Sequence, residues 1–149
     1  MHAHGTGLPH AKESMRFKNK IVVVTGGASG IGEASARLFA SEGAHVVIAD
    51  FSDHGQVVAD DLSRQGTRAL FVKTDVSNAG AVQHMVKAAV DAFGRIDMLF
   101  ANAGIAADGP VDQLSEQAWN RTIGINLTGV YLCDKYVRTD AQTGWWRGR

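Results

Sequence analysis

Residues 21–32 read IVVVTGGASGIG, and the fold of the chain is read outward from them. Ile21, Val22, Val23 and Val24 are β-branched and apolar with no polar alternation, the pattern of a strand buried on both faces of a parallel sheet. Thr25 and Gly26 break the run, and Gly30, Ile31 and Gly32 lead into a helical pattern. Glycine lets the backbone turn tightly and approach a ligand closely. The start of a helix offers unpaired N–H groups and the positive end of its dipole, so strand, glycine loop and helix in this order suit a phosphate group. A tight turn that binds nothing would use the same glycines, and the rest of the chain decides between the two.

Further along, the same unit recurs. Ile31, Ala34, Leu38 and Phe39 fall on one helical face and Gly43 stops the helix; residues 45–49, HVVIA, form a second strand ending at Asp50. Asp50 stands eighteen residues beyond Gly32, where an acidic residue of a dinucleotide fold bonds the adenosine ribose and repels the extra phosphate of NADP. Its plainer alternative is a cap on the next helix, a task that Ser52 or Asp53 can also perform. Phe51 follows Asp50 and Ser29 stands in the glycine loop, two places where a basic residue could have met a 2′-phosphate; both favour NAD. A second helix spans residues 53–65 with Val57, Val58 and Leu62 inward, and residues 69–72 make a third strand. Asp75 and Val76 come directly after it, at the strand end that lines the ligand crevice of an open α/β sheet.

Asn78 is placed to cap the next helix, whose Val82, Met85, Val86, Ala89, Val90 and Phe93 repeat at 3.6-residue spacing as core residues. Residues 98–101 form a fourth strand, followed by Asn102, Ala103 and Gly104. Short turns and right-handed crossovers give an α/β, Rossmann-type doubly wound parallel sheet of order 3-2-1-4, with the two glycine turns facing each other across the switch point. After a loop holding Pro110, Ser115 caps a long helix on which Trp119, Ile123, Asn126, Leu127 and Val130 share a face. Asn126 is then a polar amide in an apolar stripe, either part of a structural network or part of a site.

Composition narrows the partners. Fifteen basic and fifteen acidic residues give a net charge of zero, which argues against nucleic acid or an anionic membrane and for a small-molecule partner. One cysteine, Cys133, precludes an internal disulfide, and with no signal peptide or membrane-length apolar run the reading is a soluble, cytoplasmic chain. Residues 1–16 read as a disordered arm. Its His2, His4 and His10 have no Cys or carboxylate cluster beside them, so no metal site is expected. Homo-oligomerisation through the helices is left open.

TGGASGIG resembles the glycine motif of the short-chain dehydrogenase/reductase family, Asp75-Val76 its adenine-contacting pair, and ANAG at 101–104 its NNAG, departing at Ala101. RTIGINLTGVYLC is similar to the segment holding the family's catalytic asparagine, which falls on Asn126. The resemblance implies NAD as cofactor and hydride transfer between a secondary alcohol or ketone and the nicotinamide. It implies cofactor contacts at Gly26, Ser29, Gly30, Ile31, Gly32, Asp50, Phe51, Asp75, Val76, Asn102, Ala103 and Gly104. The family's active site adds a serine, and a tyrosine and lysine one helical turn apart, all after the asparagine; the tyrosine is the acid/base and the lysine cation lowers its pKa.

Tyr131 and Lys135 have the YxxxK spacing but start only five residues after Asn126 on the same helix. Tyr131 is about 7.5 Å along the axis from it and roughly 140° round, so both cannot face one nicotinamide. Residues 17–137 are therefore read as an incomplete dinucleotide-binding domain, truncated after the fourth strand and the following helix and catalytically incomplete. A noncatalytic NAD-binding module and an unstable truncation product are the alternatives. Residues 138–149 read as a non-native or disordered tail: apolar periodicity fails there, and a shifted reading frame across Trp145-Trp146 yields Gly-Gly, since tryptophan has a single codon.

Overall fold

A computed structural model describes residues 15–107 and 109–140. Four strands, β1 (Ile21–Thr25), β2 (His45–Asp50), β3 (Ala69–Lys73) and β4 (Met98–Ala101), form one parallel sheet of order β3-β2-β1-β4. Helices α1 (Gly30–Ser41), α2 (His54–Arg64) and α3 (Ala79–Phe93) cross over between successive strands. After β4 come α4 (Glu116–Ile123), a π-helical segment (Gly124–Thr128) and α5 (Gly129–Asp140). This is the Rossmann-type doubly wound sheet expected from the sequence.

The unalternating apolar run of β1 has a direct cause. Val22 and Val24 point to one face, into a core with Ala36, Val46, Ile48, Val58 and Leu62 under α1 and α2. Val23 points to the other, with Val47, Val72, Val82, Met85, Val86, Cys133 and Val137 under α3 and α5. Since successive side chains of a strand alternate faces, a strand covered on both sides must be apolar at every position, and Ile21 to Val24 are all buried. Burial pushes the Cys133 thiol up to about 11, so it behaves as a small apolar group.

Caps and stops follow the residues read for them. Asn78 accepts the Ala81 N–H at 2.9 Å and Ser115 the Ala118 N–H at 3.1 Å, while Gly43, Gly66 and Gly94 take positive φ beyond helix ends. Residues 1–14 and 141–149 lie outside the described residues, and with them most of the arm and tail read from the sequence. Met15 and Arg16, assigned above to the arm, pack beside Gly43 and Glu42: Arg16 bonds the Glu42 carboxylate with its backbone N–H and its guanidinium and holds that carboxyl below the usual carboxylate range. Helix α5 continues to Asp140.

Three helix faces differ from the sequence expectation. On α1 the buried positions are Gly32 and Ala36, with Phe39 and Ala40 beside them, whereas Ile31, Ala34 and Leu38 are exposed. The helix lies so close to the glycine loop that a Cβ on Gly32 would meet the Gly26 carbonyl oxygen, so only small residues can face the sheet there. On α2, Val58 and Leu62 are inward with Gly55 and Ala59, but Val57 is half exposed. On the last helix, Trp119, Leu127 and Val130 are exposed and the inward positions are Ile125, Gly129, Cys133 and Val137. Trp119 is already exposed ahead of the π-helical segment, so a stripe drawn from it runs along the outer face, and the inward positions lie on the neighbouring row.

Leu62 and Val57 give a direct test of the α2 face. Leu62→Ala should lower unfolding stability by about 2–5 kcal/mol, whereas Val57→Ala should stay within about 0.5 kcal/mol. Urea denaturation of both variants measures the contrast; similar losses would place Val57 in the core as well.

Candidate functional site

The carboxyl ends of β1, β2 and β4 and the turn after β3 open onto one cavity of about 610 Å³. Its lining contains every residue expected to contact a cofactor: Gly26, Ser29, Gly30, Ile31 and Gly32 from the glycine loop; Asp50 and Phe51; Asp75 and Val76; and Asn102, Ala103 and Gly104. Parallel strands all deliver their following loops to one edge, and the reversal of order between β1 and β4 separates α1 from α5 to leave the crevice.

Three of the four glycines in the loop act differently. Gly26 has φ +67°, and a Cβ there would lie 2.9 Å from the Ala103 Cα, so this glycine lets the turns after β1 and β4 touch. Gly32 allows α1 to sit on the loop. Gly30 has φ +54° and nothing within 4 Å of where a Cβ would stand: its open side belongs to the cavity. Ser29 occupies the N-cap position of α1 in an extended conformation and makes no side-chain cap. The first-turn N–H groups of α1 are thus left for an incoming acceptor, with the helix dipole behind them.

Thr25, read from the sequence only as the end of the strand, ties the two turns together. Its buried hydroxyl oxygen accepts the Asn102 N–H at 3.0 Å and the Ala103 N–H at 3.1 Å, and the Asn102 amide donates back to the Thr25 carbonyl at 3.1 Å. The signal for it was a polar residue closing a wholly apolar strand, directly before glycine.

Asp50 bonds two backbone N–H groups, neither of them in α2, the helix it was weighed as capping. One carboxylate oxygen accepts the Ser52 N–H at 2.8 Å, a local turn, and the other accepts the Ala28 N–H at 3.0 Å, which braces the glycine loop from β2. The group still lines the cavity. The Asp75 carboxylate accepts from the Ser77 N–H and hydroxyl at 2.9 and 2.6 Å. Val76 is buried against Gly129, where a Cβ would come within 2.7 Å of its Cγ2. Next to Phe51 the structure adds a cation that spacing alone did not reveal: Lys73, the register partner of Asp50, holds its ammonium 5.9 Å from the Phe51 ring centroid and bonds Asp53. Thr74, Ile105, Arg121 and Ile125 also line the cavity and were not singled out in the sequence; Arg121 and Ile125 reach it from the helix after Ser115, whose face was misphased.

Asn126 does not line the cavity but stands directly behind it, in the π-helical segment. Its amide oxygen accepts the Ile105 N–H and its amide N–H donates to the Ile105 carbonyl, both at 2.8 Å, so the side chain holds the main chain just past Gly104. Tyr131 is exposed and outside the lining, and the Lys135 ammonium lies over the rings of Tyr131 and Tyr136 at 5.7 and 5.4 Å. Among the described residues there is no cluster of His, Cys, Asp and Glu that could hold a metal ion, and no helix long and apolar enough to cross a membrane.

Residues 20–143 match the family model described as short chain dehydrogenase. The chain is 48% identical over 122 residues to the cis-4-hydroxycyclohexanecarboxylate dehydrogenase of Sinomonas cyclohexanicum, covering 81% of this chain and 49% of that enzyme. It is 43% identical over 124 residues to the meso-2,3-butanediol dehydrogenase of Serratia marcescens, covering 83% and 49%. It thus spans about half the length of the curated relatives it matches. Among solved structures, a short chain dehydrogenase/reductase from Burkholderia phymatum in complex with NAD superposes with a TM-score of 0.79 at 36% identity, over 82% of this chain and 44% of that one.

The Thr25 clamp can be tested without any ligand. Thr25→Val keeps the shape but leaves the Ala103 N–H without an acceptor, the Asn102 N–H keeping the Phe100 carbonyl at 3.0 Å, and should cost about 1–3 kcal/mol for the unsatisfied group, whereas Thr25→Ser should retain most of the stability. Chemical denaturation of both variants checks it; a neutral Thr25→Val would remove the hydroxyl from the account.

Proposed function

Because the chain belongs to the short chain dehydrogenase family, we propose that its cavity binds NAD and that the full protein is an oxidoreductase acting between a secondary alcohol or ketone and the nicotinamide. The observation that carries this reading is the convergence of the glycine loop, Asp50-Phe51, Asp75-Val76 and the 102–104 turn on one cavity. Bound there, the cofactor supplies the hydride acceptor or donor.

The residues present fit such a group. The uncapped first turn of α1 and the open side of Gly30 offer N–H groups and dipole to a pyrophosphate that no Cβ obstructs. Asp50, fixed by two backbone N–H groups, keeps lone pairs for ribose hydroxyls and sets a negative charge where a 2′-phosphate would come. The Thr25 clamp and the Asn126–Ile105 pair hold the 102–105 segment against the glycine loop, so Asn126 acts through its side chain as a positioning residue for that wall.

Proton transfer is a separate matter. Among the described residues the cavity lining carries no tyrosine, histidine or lysine, and Tyr131 with Lys135 is turned elsewhere. General acid/base catalysis contributes about 10²–10⁴-fold, so we assign nucleotide binding to this chain and no turnover of its own.

Isothermal titration of the 149-residue chain should give NAD tighter than NADP, on the order of tenfold for one like-charge contact at a protein surface, with the difference narrowed in Asp50→Ala. Equal affinities would contradict the role of Asp50. In an alcohol oxidation assay followed by NADH absorbance, the same chain should show no turnover, and Tyr131→Phe should change nothing; activity abolished by Tyr131→Phe would restore the Tyr131–Lys135 pair to the site.

A further inference from the structure

The discrimination assigned to Asp50 has a neighbour that opposes it. Parallel register places Lys73 opposite Asp50, and register partners on adjacent strands project from the same face about 4.8 Å apart. A lysine there is long enough to bring its ammonium beside whatever the Asp50 carboxylate meets. It stands 5.9 Å from the ring centroid of Phe51, itself a cavity-lining residue that is 70% exposed. A positive charge in this place would favour the 2′-phosphate that Asp50 repels.

Asp53 occupies that charge. Both of its carboxylate oxygens contact the Lys73 ammonium, at 2.9 and 3.1 Å. The residue sits at the N-cap position of α2, where an aspartate ordinarily accepts a first-turn N–H, yet it makes no side-chain cap; the Ser52 hydroxyl accepts the His54 N–H instead, at 3.3 Å. Its carboxylate is therefore committed to Lys73 and not to the helix. The pair is open to water, with side-chain exposures of 56% for Lys73 and 79% for Asp53, so its contribution to folding is small and its effect on local charge is separable from stability.

We propose that Asp53 is a specificity-determining residue for the dinucleotide, acting by tying up the Lys73 ammonium so that the charge beside Asp50 stays net negative. The inference rests on the reading of the cavity as a nucleotide site. Lys73 is then a latent contact for a 2′-phosphate, and NAD preference depends on two aspartates: Asp50 by direct repulsion and Asp53 by neutralising the nearby cation.

The full chain, as wild type, Asp53→Asn, Lys73→Met and the double variant, is titrated with NAD and with NADP by calorimetry at low salt and again at about 0.3 M salt. Asp53→Asn should raise NADP affinity about three- to fivefold, the upper range of one exposed charge contact, with NAD affinity unchanged within about twofold. The gain should disappear in the double variant and shrink at the higher salt. An unmoved NADP affinity in Asp53→Asn, or a gain that survives Lys73→Met, overturns the inference while NAD binding by the wild type upholds the cavity reading. Wild-type protein that binds neither nucleotide overturns both. Thermal melts of the four proteins should agree closely, which separates charge release from damage to α2.

Discussion

The hydroxyl of Thr25 is the point on which the site depends. It is buried at the end of the central strand, and its oxygen accepts two N–H groups from the turn that follows β4. Two turns separated by some 77 residues of chain are thereby fixed to one another at the place where the sheet order reverses. Without an acceptor there, the Ala103 N–H would be left unpaired and the Asn102 N–H would keep only the Phe100 carbonyl, a cost that neither strand pairing nor apolar packing makes good. The close approach of Gly26 to Ala103 and the return bond from the Asn102 amide complete the same contact from the other side.

Everything that faces the cavity is held from behind in a comparable way. The glycine loop is braced by Asp50 through the Ala28 N–H, α1 rests on the loop through Gly32, and the segment past Gly104 is held by the Asn126 amide. The sheet supplies the rigidity, since β1 is buried on both faces and its neighbours pair with it along their length. The result is a preorganised rim of backbone donors and two fixed carboxylates, Asp50 and Asp75, around a space that small and glycine residues keep open. Such an arrangement lowers the ordering cost of binding, because the donors do not have to be gathered when the ligand arrives.

Much of this was legible in the chain. Unbroken β-branched runs marked strands buried on both faces, glycines after the periodic segments marked helix ends, and the glycine loop with Asp50 and the 102–104 turn marked one crevice. What escaped was phase and partnership. The buried face at the start of α1 is chosen by closeness to the loop, which glycine and alanine tolerate, so Ile31 and Leu38 point away from the core while Phe39 still packs against it. On the last helix the large apolar residues Trp119 and Leu127 lie on the outer face, while the inward positions include the small Gly129 and Cys133, which carry little weight in a hydrophobic pattern. Thr25, Lys73 and the Asn126–Ile105 pair are contacts between residues distant in sequence, visible only once the register of the sheet is known. The resemblance assigns Asn126 a catalytic role, and the bonds of its side chain to the Ile105 main chain could not be read from the sequence.

In the proposed nucleotide site, the Thr25 hydroxyl joins the turns after β1 and β4 into one surface. Amide chemical shifts of isotopically labelled protein, followed during titration with NAD, test this most directly. The N–H signals of residues 26–32 and of 102–105 should move together, with one apparent dissociation constant, while those around Tyr131 and Lys135 stay in place. Shifts confined to one of the two turns, or centred on the outer face of α5, would contradict it.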